Sequence, residues 1–298
     1  MVKRVATFPF INLAIPNRFA TALVLSQILA VGWWLLALSL RSSMISDSIW
    51  YDQRTTFMAA PLHLANPYVI YFVNPPWTAV LLLPFSWLPL PLAVLIQLCL
   101  YFAILAGVVY KYGGDTVVVL LALTSFIAFD SALELNIDWL TCLGLLVPAA
   151  LSGPFLLVKP QNTLGVWLSF KRHDLVRAII VSLIVLILSF LIWGDWPLSL
   201  ANYAVNEMQR NYNMAPLALL PVPIALAIGL ALGWYAFKRR DPVWSILAWL
   251  FFVPYIKIYS LLLPFTVFAV RQRRIALIIT VVMWIVYGAV IARGFLHI

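Results

Sequence analysis

The side chains best suited to chemistry lie between the first and second apolar runs of the chain. This stretch holds two carboxylates, Asp47 and Asp52, together with Tyr51 and Arg54. Aspartate is one of the side chains that can accept a proton in general base catalysis. The aromatic residues also suit the interface between lipid and water. Two interpretations therefore stay open: a solvated loop with anchoring rings, or an acid held at the membrane surface beside cationic groups.

A second candidate is a lysine inside an apolar run. Lys257 lies near the centre of residues 243–270, where a positive charge is costly and marks a functional site by default. Pro254 and Pro264 bracket it, so we expect a helix break that faces an interior cavity. The alternative is that Lys257 reaches the interface by snorkelling. Lys159 follows another apolar run, and it is either a site residue or a simple helix-end charge.

Three acidic residues recur at helical spacing in the middle of the chain. Asp130, Glu134 and Asp138 fall at i, i+4 and i+8, so on one helix they would share a face. Like charges repel there unless a lysine, water or a divalent cation lies among them. Oxygen ligands suit Mg²⁺ or Mn²⁺, which makes these three residues weak candidates for a metal site.

The composition of the chain indicates whether it folds in water or in a lipid bilayer. Apolar residues make up 64% of the 298 and charged residues 10%, with a mean hydropathy of +1.02. A soluble domain carries about 25% charge, so too little charge is present to cover a soluble fold. The net charge of +9 comes from short basic clusters between apolar runs. That pattern is a membrane topology signal and argues against a nucleic-acid surface.

The apolar runs predict an all-α, polytopic integral membrane protein. Residues 19–40 carry no charge and would span about 33 Å as a helix, so we expect an anchor here and no cleaved signal peptide. Several later runs are short or broken by proline, which a bilayer tolerates only where protein or water satisfies the backbone. We therefore expect one domain, residues 1–298, with nine to eleven transmembrane or re-entrant helices around a cavity.

Basic residues also predict the orientation. Four segments, 1–18, 171–177, 238–240 and 271–274, hold 12 of the 19 lysines and arginines. Basic loops favour the cytoplasm, so the amino terminus is predicted to be cytoplasmic in a cell inner membrane. Two polar loops, 41–75 and 194–216, then lie on the outer face, and the first of them carries the candidate acids.

Five segments in this order resemble motifs of a known family: Asp47-x-x-x-Tyr51, Asn74-Pro75-Pro76, Leu133-Glu134-Leu135-Asn136, Val158-Lys159-Pro160-Gln161 and Pro254-Tyr255 through Tyr259-Ser260. Together they resemble the C-type (GT-C) glycosyltransferases, in particular the bacterial polyprenol-phosphate-dependent mannosyltransferase-like group, of which this chain would be a shortened member. Glu134 stands where that family usually has glutamine, and Ser260 where it often has aspartate.

The resemblance implies transfer of a mannose-like sugar from a polyprenyl phosphate to an acceptor hydroxyl on the outer face of the cell envelope. It implies Asp47 as the catalytic base, with Asp52 as the second choice. The leaving phosphate would be bound by cations, for which the candidates are Lys159, Lys257, Arg210 and Arg54. Substrate binding would fall to Tyr51, Tyr68, Glu134, Asn136, Gln161 and Tyr259.

Two other functions remain open from the sequence. The altered motifs also fit a non-catalytic subunit that keeps the fold within a larger membrane complex and binds protein partners. Broken helices around an intramembrane charge are, in addition, a feature of transporters. Inverted repeats would favour a transporter, and we detect none. Membrane lipids and a lipid-linked sugar are the expected partners, with no nucleic acid.

Overall fold

Four of the uncharged runs form long helices. The computed structural model describes residues 17–41, 49–70, 72–201 and 213–296. Within them about 80% of the chain is helical and no strand occurs. Four helices are long and apolar enough to cross a membrane: α1 (Asn17–Arg41), α3 (Leu90–Lys111), α9 (Arg172–Trp193) and α11 (Val222–Arg239). The predicted all-helical class is thereby confirmed, with four or five helices that could cross a membrane, while the count of nine to eleven segments stays a prediction.

Shorter helices complete the bundle. α4 (Thr116–Leu123) and α5 (Phe126–Glu134) meet at a bend of 59°, and this pair would make a fifth crossing if it is one broken span. The remaining α-helices are α2 (Trp77–Ser86), α6 (Asp138–Leu143), α7 (Gly153–Leu156), α8 (Pro160–Thr163), α10 (Pro216–Leu219), α12 (Pro242–Trp249), α13 (Leu262–Arg271) and α14 (Arg273–Leu296). Single turns of 3₁₀ or π-helix link several of them.

Proline explains several of the breaks in the apolar runs. Residues 138–169 form short helical pieces, and a proline stands in the first turn of α7 and of α8. Proline has no N–H and cannot continue a preceding helix. The predicted break around Lys257 is also present, since helical structure stops at Phe252 and resumes at Tyr259. Short pieces of this kind bring polar backbone and side chains into the interior of the bundle.

Helix α3 forms the centre of the bundle. In its most apolar stretch 61% of the residues are buried inside the protein, against 17% for α1, α9 and α11. Tyr101, Phe102 and Leu105 of α3 belong to the core, which also includes Trp50 from the loop after α1. The other three long helices expose apolar side chains such as Leu191, which is 74% accessible. Lipid is the solvent that accommodates these surfaces.

The described parts of the predicted basic segments meet at one end of the bundle. The Arg18 carbonyl accepts a hydrogen bond from the Tyr110 hydroxyl at 2.8 Å, which brings the start of α1 to the end of α3. The Arg240 guanidinium donates to the carbonyl of Phe170, and Arg271 pairs with Asp241 at 3.1 Å. We call this the basic end; the membrane face on which it lies stays a prediction.

Cysteine labelling of intact cells tests that orientation. His63 is an exposed residue of the first loop, and Lys238 is an exposed residue of the basic end. We expect a membrane-impermeant maleimide to label His63→Cys in intact cells and Lys238→Cys only after permeabilisation. Labelling of Lys238→Cys in intact cells would show that the topology is the opposite of the predicted one. The native Cys99 and Cys142 are replaced by serine in both variants so that only the new thiol reacts.

Candidate functional site

A buried network of polar side chains lies at the other end of the bundle, beneath the loop after α1. At its centre is Lys159, which is only 8% accessible. Its ammonium donates to Asn136 Oδ1 at 2.9 Å, to Asp138 Oδ1 at 3.0 Å and to Ser260 Oγ at 3.1 Å. Because an ammonium has three protons, these acceptors use its full donor capacity. The Asp138 carboxylate also accepts from Asn162 and Ser260, so the buried charge pair is hydrogen-bonded on both sides.

Local backbone geometry places these groups together. Lys159 is extended, with φ −145° and ψ 76°, as expected for a residue that precedes proline. Leu135 adopts a left-handed conformation with φ 34°, which ends α5 and turns the chain into α6. Asp138 then occupies the first residue of α6. The turn and the extended residue bring the carboxylate and the ammonium to the same point in the interior.

The amide of Asn136 connects this buried pair to the surface. Its Oδ1 accepts from Lys159 and from the Ile137 N–H at 2.9 Å. Its Nδ2 donates to Asp52 Oδ2 at 3.0 Å and to the Tyr259 hydroxyl at 2.9 Å. The ammonium therefore determines which way the amide faces, and the amide presents its N–H groups to a partly exposed carboxylate. Asp52 lies at the solvent-facing end of the chain Lys159–Asn136–Asp52.

Trp50 holds the loop that carries Asp52. The residue is fully buried and has a positive φ of 58°. Its backbone N–H donates to the Leu133 carbonyl at 2.8 Å, and its indole N–H donates to the Ala132 carbonyl at 3.0 Å. The Arg41 guanidinium lies 5.4 Å from its ring. These contacts join the loop to the end of α5. Trp50 precedes Asp52 by two residues, and Leu133 precedes Asn136 by three, so the anchor lies close to both site residues.

A second lysine also lies close to Tyr259. The ring of this buried tyrosine has the Lys159 ammonium at 4.8 Å and the Lys257 ammonium at 5.5 Å from its centroid. Lys257 is half-buried in the non-helical segment before Tyr259. The Lys257 ammonium attracts the carboxylates of Asp130 and Glu134, and the Asp52 carboxylate repels that of Glu134. The site thus combines two cations with three carboxylates besides the buried Asp138.

Other sequence-predicted residues lie around this network. Tyr51 and Arg54 are exposed at its edge, with the guanidinium 6.0 Å from the ring. Gln161 is half-buried in α8, two residues after Lys159. Tyr68 is buried and donates its hydroxyl to the Asn74 carbonyl at 3.0 Å; burial raises the pKa of this phenol well above its usual range, so it stays a donor. Asp47 and Arg210 lie outside the described residues.

The structure shows that Asp130, Glu134 and Asp138 do not share one helix. Asp130 and Glu134 belong to α5, but the left-handed Leu135 ends that helix before Asp138. A lysine partner is present for Asp138, since Lys159 neutralises it at 3.0 Å. In the described ranges no group of three His, Cys, Asp or Glu side chains could hold a metal ion.

Sequence reasoning missed three contributors. Ser260 was noted only as a departure from the family pattern, yet its hydroxyl bonds both Lys159 and Asp138. Asn162 follows Lys159 by three residues and is buried, and its polarity within an apolar run was the available signal. Trp50 looked like an interfacial aromatic residue. Nothing in its sequence context predicts the positive φ that anchors the loop.

The arrangement can bind an anion next to a proton acceptor. Lys257 keeps a half-buried ammonium, while Asp52 presents a carboxylate whose position is set by Asn136. An anionic group and a hydroxyl could bind side by side here, at the end of the bundle opposite the basic clusters. Comparison with family models, with curated proteins and with solved structures finds no match to this chain, and its function is therefore inferred from the side chains of this site.

Proposed function

We propose that this chain is a GT-C-like membrane glycosyltransferase that moves a mannose-like sugar from a polyprenyl phosphate to an acceptor hydroxyl on the outer face of the inner membrane. The observation that carries the proposal is the placement of Asp52. A partly exposed carboxylate ends a buried Lys–Asn–Asp chain of hydrogen bonds, next to a second, half-buried lysine. The motif resemblance supports the same reaction, together with the finer expectation of nine to eleven membrane segments.

Each residue has a separate role in this reaction. The acceptor oxygen attacks the anomeric carbon while its proton passes to a carboxylate, and the bond from that carbon to the phosphate oxygen breaks. The phosphate leaves with the electron pair, so negative charge grows on it and a nearby cation stabilises the transition state. We assign the proton transfer to Asp52 and the phosphate to Lys257. Asp47, the first choice from the motif, remains the alternative base.

Lys159 has a different role in this proposal from the one expected from the motif. Its three protons are already donated within the protein, so it has none left for a donor phosphate. It acts as a positioning residue that holds Asn136, and through Asn136 it orients Asp52. Lys257 is the better phosphate ligand because it is only half-buried, in the non-helical segment before Tyr259.

Lys257→Gln tests the assignment of the phosphate site. A hydrogen bond to a charged group contributes about 1.5–3 kcal/mol, so we expect kcat/KM for the lipid donor to fall about 10- to 100-fold. The assay follows a radiolabelled sugar from polyprenyl phosphate to acceptor with purified protein in lipid. Lys238→Gln, a change of the same type at the basic end, is expected to leave the rate unchanged. Equal rates for Lys257→Gln and the wild type would remove this lysine from the site.

The same assay separates the enzyme from the second candidate function. Ser260 in place of the family's aspartate favours a non-catalytic subunit, because the carboxylate expected there is absent and the hydroxyl is bonded within the network. Such a subunit would keep the fold and use the loop around Tyr51 to dock a protein partner. If the wild type transfers no sugar from any polyprenyl-phosphate donor, and a stable partner copurifies with it, the subunit is the better account.

A further inference from the structure

A cavity at the basic end lies apart from the site described above. It has a volume of about 240 Å³, and its walls come from the end of α3, the turn after α6, the 3₁₀ turn after α8 and the start of α12. Lys111 and Arg240 line it, together with apolar side chains such as Leu145, Val166 and Phe170. The combination of two cations and an apolar wall suits an amphiphilic anion.

The positive charge of this cavity has no acidic partner among the described residues. The Lys111 ammonium donates to the Leu145 carbonyl, and the Arg240 guanidinium to the Phe170 carbonyl, each at 2.6 Å. No aspartate or glutamate lines the cavity in the described part of the chain. Each cation uses one donor for its carbonyl. Arg240 therefore keeps most of its five N–H donors, and Lys111 keeps two of its ammonium protons, for a ligand.

Two nearby acids are paired with other cations, and a third contacts a histidine. Asp241 pairs with Arg271 at 3.1 Å and also accepts from the Val243 N–H. Asp115 pairs with Arg273 at 3.5 Å, and Asp174 lies 3.2 Å from His173. These pairs leave Lys111 and Arg240 as the cations at this end that face a cavity with no counter-charge on its walls.

We propose that this cavity binds the phosphate of an anionic phospholipid from the leaflet at the basic end. The phosphate would contact Lys111 and Arg240, and the apolar wall would contact the glycerol and the first methylenes of the acyl chain. Arginine and lysine both bind phosphate well, the first through its fork of N–H groups and the second as a point charge. The basic end is the end expected at the cytoplasm, where anionic lipids attract basic residues near the surface. This binding is independent of sugar transfer at the opposite end.

Native mass spectrometry of the purified protein with added phosphatidylglycerol tests the proposal. Each lysine or arginine near a membrane surface contributes about 1 kcal/mol of attraction, so Lys111→Gln/Arg240→Gln is expected to raise the Kd for phosphatidylglycerol about 30-fold. The matched control is Arg239→Gln. Arg239 is adjacent to Arg240, but its guanidinium lies over the Tyr235 ring and does not line the cavity. Phosphatidylcholine is expected to bind weakly to all variants.

Four outcomes decide the proposal. Unchanged affinity in the double variant overturns it, and so does an equal loss in Arg239→Gln, because binding would then reflect the general charge of this end. Displacement of phosphatidylglycerol by millimolar inorganic phosphate would show that the site binds a soluble phosphate, which overturns the assignment to a lipid. If the double variant does not fold, Ala149→Phe fills the cavity and keeps both cations; its unchanged affinity would also overturn the proposal.

Discussion

Asp52→Asn is expected to slow sugar transfer by about 10²- to 10⁴-fold, the usual cost of losing a general base. Asparagine keeps the size and polarity of the side chain but cannot take the proton from the acceptor hydroxyl. Folding is expected to change little, because Asp52 is partly exposed and its carboxylate accepts a hydrogen bond from Asn136. The rate is measured with a radiolabelled polyprenyl-phosphate sugar, and folding by monodispersity in detergent.

Asp47→Asn is the matched comparison in the same loop. If Asp47→Asn loses activity and Asp52→Asn does not, the mechanism survives and the base is the residue favoured by the motif. If both variants match the wild type, neither carboxylate of this loop is the base. Asn136→Ala gives a third measurement: it leaves the Asp52 carboxylate in place without its amide donor. We expect that variant to lower kcat more than it raises KM, because it changes the orientation of the base and does not touch the donor phosphate.

Lys159→Met is expected to destabilise the protein by about 3–5 kcal/mol, since removing one partner of a buried ion pair leaves an uncompensated charge. Asp138 is 2% accessible, and only the neutral donors of Asn162 and Ser260 would remain near it. Methionine keeps the length of the side chain and removes its charge. The free energy of unfolding is measured by titration with sodium dodecyl sulfate, followed by tryptophan fluorescence.

The double variant Lys159→Met/Asp138→Leu separates charge from packing. Replacing both members of a buried pair by apolar residues is often neutral or stabilising, so much of the lost stability should return. Activity should not return with it, because Asn136 has lost the ammonium that orients it. Lys238→Met at the exposed basic end is expected to stay within about 0.5 kcal/mol of the wild type. If Lys159→Met is as stable as Lys238→Met, the Lys159 charge is not buried.

The sequence alone determined the helical class, the apolar surfaces that suit lipid and the helix break around Lys257. These properties follow from short-range rules: an uncharged run of about 20 residues is stable as a helix in lipid, and proline cannot continue the helix before it. The break around Lys257 was predicted from its neighbours for this reason. The described parts of the basic segments likewise lie at one end, because charge is excluded from the apolar core.

Only the tertiary structure decided which polar residues meet. Asn136 is 84 positions from Asp52 and 23 from Lys159, and Ser260 is 101 positions beyond that lysine. No periodicity relates positions so far apart, and their contact depends on how α5, α6, α8 and the segment before α13 pack. The sequence offered both Lys159 and Lys257 as cations for the phosphate, and favoured Lys257 because it lies inside an apolar run. Packing distinguishes them, because a buried ammonium must satisfy all its protons inside the protein, whereas a half-buried one keeps some of them for a ligand.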